Sequence, residues 1–319
     1  MKAGEAVSSP YIVSWHRLSL IIYIPNTDYT MRRFKESEFI LNEDGSVFHL
    51  HLKPGQLAQN VILVGDPDRV SLVSSHFTDV ELDVQNREFH SVTGTYQGKR
   101  ISVVSTGIGC DNIDIVLNEL DALVNIDFII RTEREEKTSL EIVRVGTCGG
   151  LQPYTPVGTF IISEKSIGFD GLLNFYAGRN EVCDLPLEKA FTRHMHWNPQ
   201  LCAPYVIEAD ERLTARIAGE DMVHGITIAC GGFYGPQGRR LRIPLADPDQ
   251  NAKVESFEYE GLRITNYEME SSAVAGLGRL LGHRATTCCM VIANRVAGEA
   301  NTAYRCSIDK LIQEVLDRI

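Results

Sequence analysis

The chain has 319 residues, of which 44% are hydrophobic and 23% charged, as is typical of a globular protein with a substantial core. Its formal net charge of −11 argues against nucleic acid or an anionic membrane as the main partner, because both require clustered Lys and Arg. The sequence contains no apolar run of about 18 residues, so no transmembrane helix is predicted.

Eight cysteines are scattered along the chain without Cys-x-x-Cys spacing, so neither a zinc site nor a thioredoxin-like motif is predicted. Reduced, scattered thiols are typical of a cytoplasmic protein, and we expect that location. Cys288 and Cys289 lie in an apolar run and are expected to be small buried side chains. His194 and His196 form a His-x-His pair, but no carboxylate spacing supports it, and no metal site is predicted there.

Residues 1–40 carry no clear periodicity and no catalytic motif, and Met31 is a second plausible start. We expect them to form an optional or disordered N-terminal extension before a single catalytic domain over residues 41–319. In that domain strands alternate with helices without a low-complexity linker, which favours one α/β domain. Residues 47–52 are expected to be extended, and the polar residues 178–204 to form an insertion or a lid.

Predicted strands that run into glycine-rich turns are the main functional signal in the sequence. They lie at 60–64, 99–105 and 142–145. In the third, Arg144 lies within a core strand, where a guanidinium requires an anion. The glycines at 146–150 are expected to form a loop whose amides, with Arg144, suit an oxyanion such as phosphate. The alternative is a salt bridge from Arg144 to a neighbouring carboxylate.

A second group of signals follows later in the chain. Residues 231–240 provide an aromatic ring, an amide and guanidinium groups, which recognition of a flat heterocycle requires. The alternative is a mobile surface turn. Glu268 and Glu270 are two residues apart and would not share a helix face, so they are expected to contact different partners unless the stretch is extended. A two-strand meander is predicted at 86–90 and 99–105, with turns near Gly94 and Gly98.

Taken together, these motifs resemble the nucleoside phosphorylase family. The resemblance runs from about residue 47 to the C terminus and rests on GDPDR at 65–69, STGIG at 105–109, RVGTCG at 144–149 and YEMES at 267–271. Within the family, FYGPQGR at 233–239 and VIANR at 291–295 are similar to the uridine phosphorylase branch. Purine-specific relatives typically carry an aspartate near the position of Arg295, and this sequence has none there.

The resemblance implies a three-layer α/β/α sandwich with a mixed central sheet. It implies a homodimer as the minimal active unit, with a homohexamer as a further assembly. The expected activity is that of a pentosyltransferase: reversible phosphorolysis of uridine, deoxyuridine or thymidine in pyrimidine salvage, giving uracil and ribose 1-phosphate from uridine. No cofactor is expected, because inorganic phosphate is a co-substrate.

The resemblance also assigns residues to the parts of the substrate. The residues assigned to phosphate binding are Gly65, Arg69, Arg144 and Thr147, with Arg87 of the partner subunit. Ribose binding falls to Met269 and Glu270, with His49 of the partner subunit on the 5′-hydroxyl. Base binding falls to Phe233, Gln237, Arg239 and Gly149. Arg239, Gln237 and Glu270 are the predicted catalytic residues, and the role of Glu268 is left open.

Two positions depart from the family pattern. Cys148 replaces a common threonine, and Asn112 replaces the small hydroxyl residue that lines a potassium site in some relatives. Glu88 and Ile108 match that site, so potassium there is a secondary hypothesis and no metal is otherwise expected. Other functions left open are a purine nucleoside phosphorylase, a hydrolytic nucleosidase of the same fold, and a nucleoside-binding protein without catalysis.

Overall fold

The fold is organised around a large mixed β-sheet, seen in a computed structural model that describes residues 32–319. The strands are β1 (Asn60–Val64), β2 (Asp79–Asn86), β3 (Phe89–Tyr96), β4 (Lys99–Ser105), β5 (Ile126–Asp127), β6 (Thr132–Glu133), β7 (Glu141–Gly150), β8 (Phe160–Gly168), β9 (Tyr205–Glu208), β10 (Met222–Ala229), β11 (Glu258–Tyr259), β12 (Leu262–Glu268), β13 (Arg284–Asn294) and β14 (Glu299–Ala300). The helices are α1 (Pro67–Ser74), α2 (Cys110–Asn125), α3 (Arg179–Val182), α4 (Leu185–Met195), α5 (Glu211–Ile217), α6 (Gln250–Ser256), α7 (Ser271–Leu280) and α8 (Arg305–Arg318).

The sheet combines an open half with a closed half. Its strand order is β11-β12-β10-β8-β13-β7-β1-β4-β3-β2, with β9 added on β8 and β14 on β13. Strand β12 pairs in parallel with β10 and also antiparallel with the end of β7, so β7, β13, β8, β10 and β12 close into a ring. This mixed topology brings the ends of β7 and β12 together, although the two strands are distant in sequence.

Helices cover both faces of the sheet, as the alternation of side chains in β1 shows. Val61 and Leu63 pack in a core with α2 and α7, whereas Ile62 and Val64 pack in a second core with α1, α5 and α8. A strand buried on both faces is continuously apolar, which is why β1 was visible in the sequence. The predicted three-layer α/β/α arrangement is confirmed. Within residues 32–319, no helix has the length and apolar character needed to cross a membrane.

The predicted N-terminal extension falls largely on residues 1–31, which lie outside the described residues, and it stays a prediction. Residues 33–319 form one unit. In that unit Phe39 packs on the domain, with its ring centroid 5.0 Å from that of Phe128.

The glycines of residues 146–150 do not form a loop, contrary to the prediction. They continue β7, paired with β13 and, at Gly149 and Gly150, with β12. Their role is to let other groups approach closely. A Cβ at Gly146 would lie 2.2 Å from Nη1 of Arg144, and one at Gly150 would lie 2.5 Å from the carbonyl oxygen of Thr155.

Residues 178–204 pack on the domain through a few buried side chains and do not line the cavity described below, so they do not form a lid over it. They form α3 and α4, and α4 buries Leu187, Phe191 and Met195 in a third apolar cluster. His194 lies 2.8 Å from the carbonyl oxygen of Lys253, so this ring contributes to the packing of α4 on α6.

Of two predictions of local structure at the edge of the domain, one was wrong and the other was right only in part. Residues 47–52 form a turn after an isolated bridge from Leu41 to Val47, not an extended segment. In the predicted meander, residues 99–105 form β4 and Gly98 lies in the turn before it, as expected. Residues 86–90, however, span the end of β2 and the start of β3, and Gly94 lies inside β3. A Cβ on Gly94 would lie 2.3 Å from the carbonyl oxygen of Asp79, so this glycine serves strand pairing instead of a turn.

The closed ring of strands leaves no room for a side chain at Gly225 in β10, which can be tested by substitution. At this position β10 shifts register, and an added Cβ would lie 2.2 Å from Cγ2 of Thr265 in β12. Gly225→Ala should lower the free energy of unfolding by about 1–3 kcal/mol, measured by urea denaturation. Gly235→Ala is the matched control, because a Cβ there meets nothing within 4 Å, and it should change stability by about 0.5 kcal/mol or less. Equal effects of the two substitutions would contradict this account of the ring.

Candidate active site

A cavity of about 850 Å³ opens where several strands of the sheet end. In α/β sheets ligands bind outside the carboxyl ends of the strands, and the lining residues follow or end β1, β4, β7 and β12. The structure brings together there ten residues predicted from sequence: Gly65, Arg69, Arg144, Thr147, Gly149, Phe233, Gln237, Arg239, Met269 and Glu270. Cys148 and Glu268 also line the cavity.

Arg144 joins two acidic side chains at the centre of this cavity. Its Nη1 lies 3.1 Å from Oε2 of Glu268, and its Nη2 contacts Oε2 of Glu270. All three side chains are buried. The structure therefore shows the alternative interpretation, in which Arg144 forms salt bridges with neighbouring carboxylates. A phosphate contact by Arg144 stays a prediction.

Glu268 and Glu270 contact the same partner, Arg144, because the exception expected for an extended stretch applies here. The i, i+2 rule applies within a helix, whereas Glu268 is the last residue of β12 and Glu270 precedes α7. The bend between strand and helix turns both carboxylates toward the same guanidinium.

Glu268 also fixes the start of α7. Its carboxylate accepts hydrogen bonds from the backbone amides of Glu270 at 2.8 Å and Ser271 at 2.9 Å, and from the Ser271 hydroxyl at 2.7 Å. A carboxylate at a helix N terminus satisfies free amides and complements the helix dipole. Oε1 of Glu270 accepts from the backbone amide of Gly109 at 2.7 Å, which ties the β4–α2 turn to the same cluster.

The charge balance of the cluster shifts the protonation of Glu270. Burial raises the pKa of Glu270 to about 7, Arg144 opposes the shift, and the neighbouring Glu268 adds to it. Because one guanidinium serves two buried carboxylates, it does not compensate both charges. For Arg144 burial lowers the pKa, but the two carboxylates outweigh it and the pKa is raised. The Nε atom of Arg144 is buried without a hydrogen-bond partner.

Arg69 provides a second cation beside the cluster. It lies in the first turn of α1, and its Nη1 donates to the carbonyl oxygen of Val145 at 3.2 Å. Burial lowers the pKa of Arg69, and the positive charge of Arg144 acts in the same direction. Two guanidiniums near Gly65 and the N terminus of a helix form an end of the cavity suited to an oxyanion.

The opposite end of the cavity is formed by residues 233–239. Gln237 is buried, and its Oε1 accepts from Nη1 of Arg239 and from Nη2 of Arg295 at 3.5 Å. Cζ of Arg239 lies 3.7 Å from the ring centroid of Phe233, a cation–π contact. Burial lowers the pKa of Arg239 to about 10, and the nearby charge of Arg295 contributes. These contacts hold the predicted base-binding residues in one ordered group.

Arg295 lies beside the predicted site residues Gln237 and Gly149, and sequence reasoning did not assign it to the site. It stands after β13 in the VIANR motif, which served only to place the chain within its family. In the structure its Nε is buried without a hydrogen-bond partner and lies 3.7 Å from the Cβ position of Gly149, which lines the cavity. An arginine directly after a core strand was the available signal, comparable to the arginine within a core strand at position 144.

His49 and Arg87, which were predicted to act in the partner subunit, lie together on this chain and do not line its described cavity. The side-chain amide of Asn86 donates to the carbonyl oxygen of His49 at 2.8 Å. Cζ of Arg87 lies 5.5 Å from the ring centroid of Phe48. Arg87 is exposed and has a φ of 57°, a left-handed conformation that is uncommon outside glycine. The two residues thus form one surface group.

The residues of the potassium hypothesis also lie close together. Glu88, Ile108 and Asn112 all line the cavity. They surround Gly107, whose Cβ position lies 2.4 Å from Nδ2 of Asn112 and 3.3 Å from Cγ of Glu88. Within residues 32–319, no group of three or more His, Cys, Asp or Glu residues is arranged to hold a metal ion.

Comparison with known proteins identifies the family. Residues 59–317 match the model of the phosphorylase superfamily. The chain belongs to this superfamily. It is a nucleoside phosphorylase, and therefore a pentosyltransferase, which confirms the expected enzyme class and fold.

Characterised relatives of this nucleoside phosphorylase differ in the base that their names specify. It is 32% identical over 283 residues to a uridine phosphorylase of Thermococcus kodakarensis, with 86% of each chain covered. It is 26% identical over 272 residues to a guanosine phosphorylase of Halorubrum lacusprofundi, covering 85% of this chain and 92% of that one. A Trypanosoma brucei nucleoside phosphorylase with uridine phosphorylase activity superposes with a TM-score of 0.79 at 28% identity, covering 88% and 100% of the two chains.

The raised pKa of Glu270 predicts a pH dependence of stability. Between the ordinary value of 4.5 and about 7, folded Glu270 holds a proton that the unfolded chain has lost. The stability of the unmodified enzyme should therefore fall relative to Glu270→Gln by roughly 1–3 kcal/mol as the pH rises through this window. Urea denaturation of both proteins between about pH 5 and pH 8 measures this difference. Parallel pH profiles would show that Glu270 titrates in the same way in both states.

Proposed function

We propose that the enzyme is a uridine phosphorylase, which converts uridine and phosphate reversibly to uracil and ribose 1-phosphate in pyrimidine salvage. Deoxyuridine and thymidine are the further substrates to test. The observation that carries the proposal is the group at the base end of the cavity, where the buried Gln237 amide is held between Arg239 and Arg295.

The hydrogen-bonding pattern of this group favours uracil. Uracil presents O2, N3–H and O4 along its edge, so a carboxamide can accept from N3–H and donate to a carbonyl, while a guanidinium donates. Both lone pairs of the Gln237 oxygen face an arginine, so it accepts from N3–H once the longer contact with Arg295, at 3.5 Å, is given up, and its NH₂ group is a donor. Cytosine would place an unprotonated N3 against that oxygen and its amine against a donor, leaving polar groups unpaired.

The phosphate end supports an attack on the sugar from the opposite side. Glycosidic cleavage passes through an oxocarbenium-like state, which a phosphate beneath C1′ stabilises by its charge before it forms the new bond. We assign Arg69, Arg144 and Thr147 to this phosphate, with Glu270 on the 2′-hydroxyl of ribose. Arg239 and Gln237 stabilise the pyrimidine as it leaves with the bonding electrons. Each of these residues lines the same cavity.

The proposal includes a homodimer as the minimal active unit. His49 and Arg87 form one surface group, which supports their contribution to a neighbouring site. A further assembly into a homohexamer is part of the same expectation. Inorganic phosphate is the co-substrate, and no cofactor is proposed. The free cysteines among the described residues support a reducing, cytoplasmic location.

The first test is phosphate dependence. Release of free base from uridine, cytidine, thymidine, deoxyuridine and inosine should require phosphate, and uridine should be the best substrate. Equal rates in phosphate-free buffer would indicate a hydrolase, and no turnover would indicate a binding protein.

Arg69→Gln tests the phosphate site more cleanly than a change at Arg144. Removing Arg144 would leave two buried carboxylates unpaired, at about 3–5 kcal/mol of stability. Arg69→Gln should raise the KM for phosphate by about tenfold or more, because one charge-assisted hydrogen bond is lost. Arg305→Gln, at the exposed ion pair with Asp68, is the control and should leave that KM unchanged.

Base selectivity tests the role of Gln237. Unmodified enzyme should cleave uridine at least about tenfold faster than cytidine, since unpaired buried polar groups disfavour cytosine. Gln237→Ala should narrow this preference and leave the KM for phosphate nearly unchanged, because Gln237 lies at the other end of the cavity. Comparable rates on the two nucleosides in the unmodified enzyme would contradict the proposed recognition of uracil, and a preference for inosine would assign the enzyme to the purine branch.

Sharing of sites between subunits is tested with mixed dimers. Arg87→Ala and Arg69→Gln chains should each be weakly active alone. After mixing and reassembly, about one site in four should combine an intact Arg69 with an intact Arg87 from the other chain. Activity should therefore rise well above that of either parent. A verified mixed dimer without this recovery would place Arg87 outside the shared site.

A further inference from the structure

Glu119, in α2, holds the turn that carries His49. Its carboxylate accepts hydrogen bonds from the backbone amide of His49 at 3.0 Å and from that of Leu50 at 2.8 Å. The same carboxylate lies 2.7 Å from the imidazole Nδ1 of His49. Asn86 holds the His49 carbonyl oxygen from the other side. The backbone and the ring of His49 are therefore fixed by side chains from two other parts of the chain.

The carboxylate also decides which imidazole nitrogen carries the proton. An ionised carboxylate can only accept hydrogen bonds, so Nδ1 must be the donor in this contact. In the neutral ring Nε2 is then unprotonated and acts as an acceptor. Edge-on contacts with Phe48 and Phe89, at centroid distances of 4.9 and 6.2 Å, limit rotation of the ring. The side chain is 27% exposed, so part of the ring is accessible to a second molecule.

We propose that Glu119 is a positioning residue that fixes this tautomer, so that Nε2 of His49 accepts a hydrogen bond from the 5′-hydroxyl of a nucleoside in the neighbouring site. This inference rests on the proposed function, which places His49 at that hydroxyl. It defines the substrate class further. A nucleoside with a free 5′-hydroxyl provides the donor that Nε2 requires. A 5′-deoxynucleoside has no such donor, and a 5′-phosphate presents anionic oxygens to an acceptor.

Substrate analogues in the unmodified enzyme give the first test. The kcat/KM for uridine should exceed that for 5′-deoxyuridine by about tenfold, and uridine 5′-monophosphate should be cleaved more slowly still. Glu119→Gln should reduce the ratio of uridine to 5′-deoxyuridine to about twofold, mainly through the KM for uridine. Asp121→Asn changes another carboxylate of α2, which bonds Asn125 instead, and should keep the original ratio.

A double-mutant cycle separates positioning from general damage. In a His49→Ala background, Glu119→Gln should cause no further loss of 5′-hydroxyl discrimination, because the two residues act as one unit. A folded Glu119→Gln enzyme that keeps the original ratio would overturn the proposal, and so would additive losses in the cycle.

A spectroscopic test does not require the Glu119 variant to fold. In the ¹⁵N spectrum of the unmodified enzyme, the resonances lost in His49→Ala should show a protonated Nδ1 and an unprotonated Nε2. The opposite tautomer would overturn the proposal. Should the enzyme prefer inosine, the uridine assignment fails, and the analogue comparison is then made with inosine and 5′-deoxyinosine. An unchanged ratio in Glu119→Gln with that pair would refute the role of Glu119 independently.

Discussion

The structure of the candidate site depends on the burial of Arg144 between two carboxylates. A guanidinium in the interior is tolerated only when anionic partners compensate it, and Glu268 and Glu270 supply them. The interaction determines more than local charge. It requires a glycine at position 146 to make room for the guanidinium, it requires β12 to end beside β7, and through Glu270 it fixes the amide of Gly109.

The closed ring of strands meets that requirement. Because β12 pairs with both β10 and β7, the strand that carries Glu268 cannot move away from the strand that carries Arg144. The loop after β10 carries Phe233, Gln237 and Arg239, so the base end of the cavity is held by the same ring. The two ends of the cavity therefore rest on one hydrogen-bonded framework.

Much of this arrangement was predictable from sequence, and the failures have a common physical origin. The strands predicted at 60–64 and 99–105 have local sequence signals, and both were interpreted correctly, as β1 and β4. The glycines after Arg144 were assigned to a loop because glycine usually marks turns, whereas here it makes room for a side chain of the same strand. Arg295 could not be placed beside Gln237 before the fold was known, since no local pattern links residues that the sheet brings together.

At the proposed base end of the cavity, two positive charges lie close together. Arg239 and Arg295 converge on a single amide oxygen, and the pKa of Arg239 is lowered by its burial and, in addition, by the charge of Arg295. A neutral side chain in place of Arg239 or Arg295 would remove the repulsion between them. The unmodified protein is therefore less stable than a variant without this repulsion. The repulsion lies beside the proposed base-binding residues, where an anionic heterocycle would offset the two positive charges. This pair of like charges meets at Gln237, which lines the cavity.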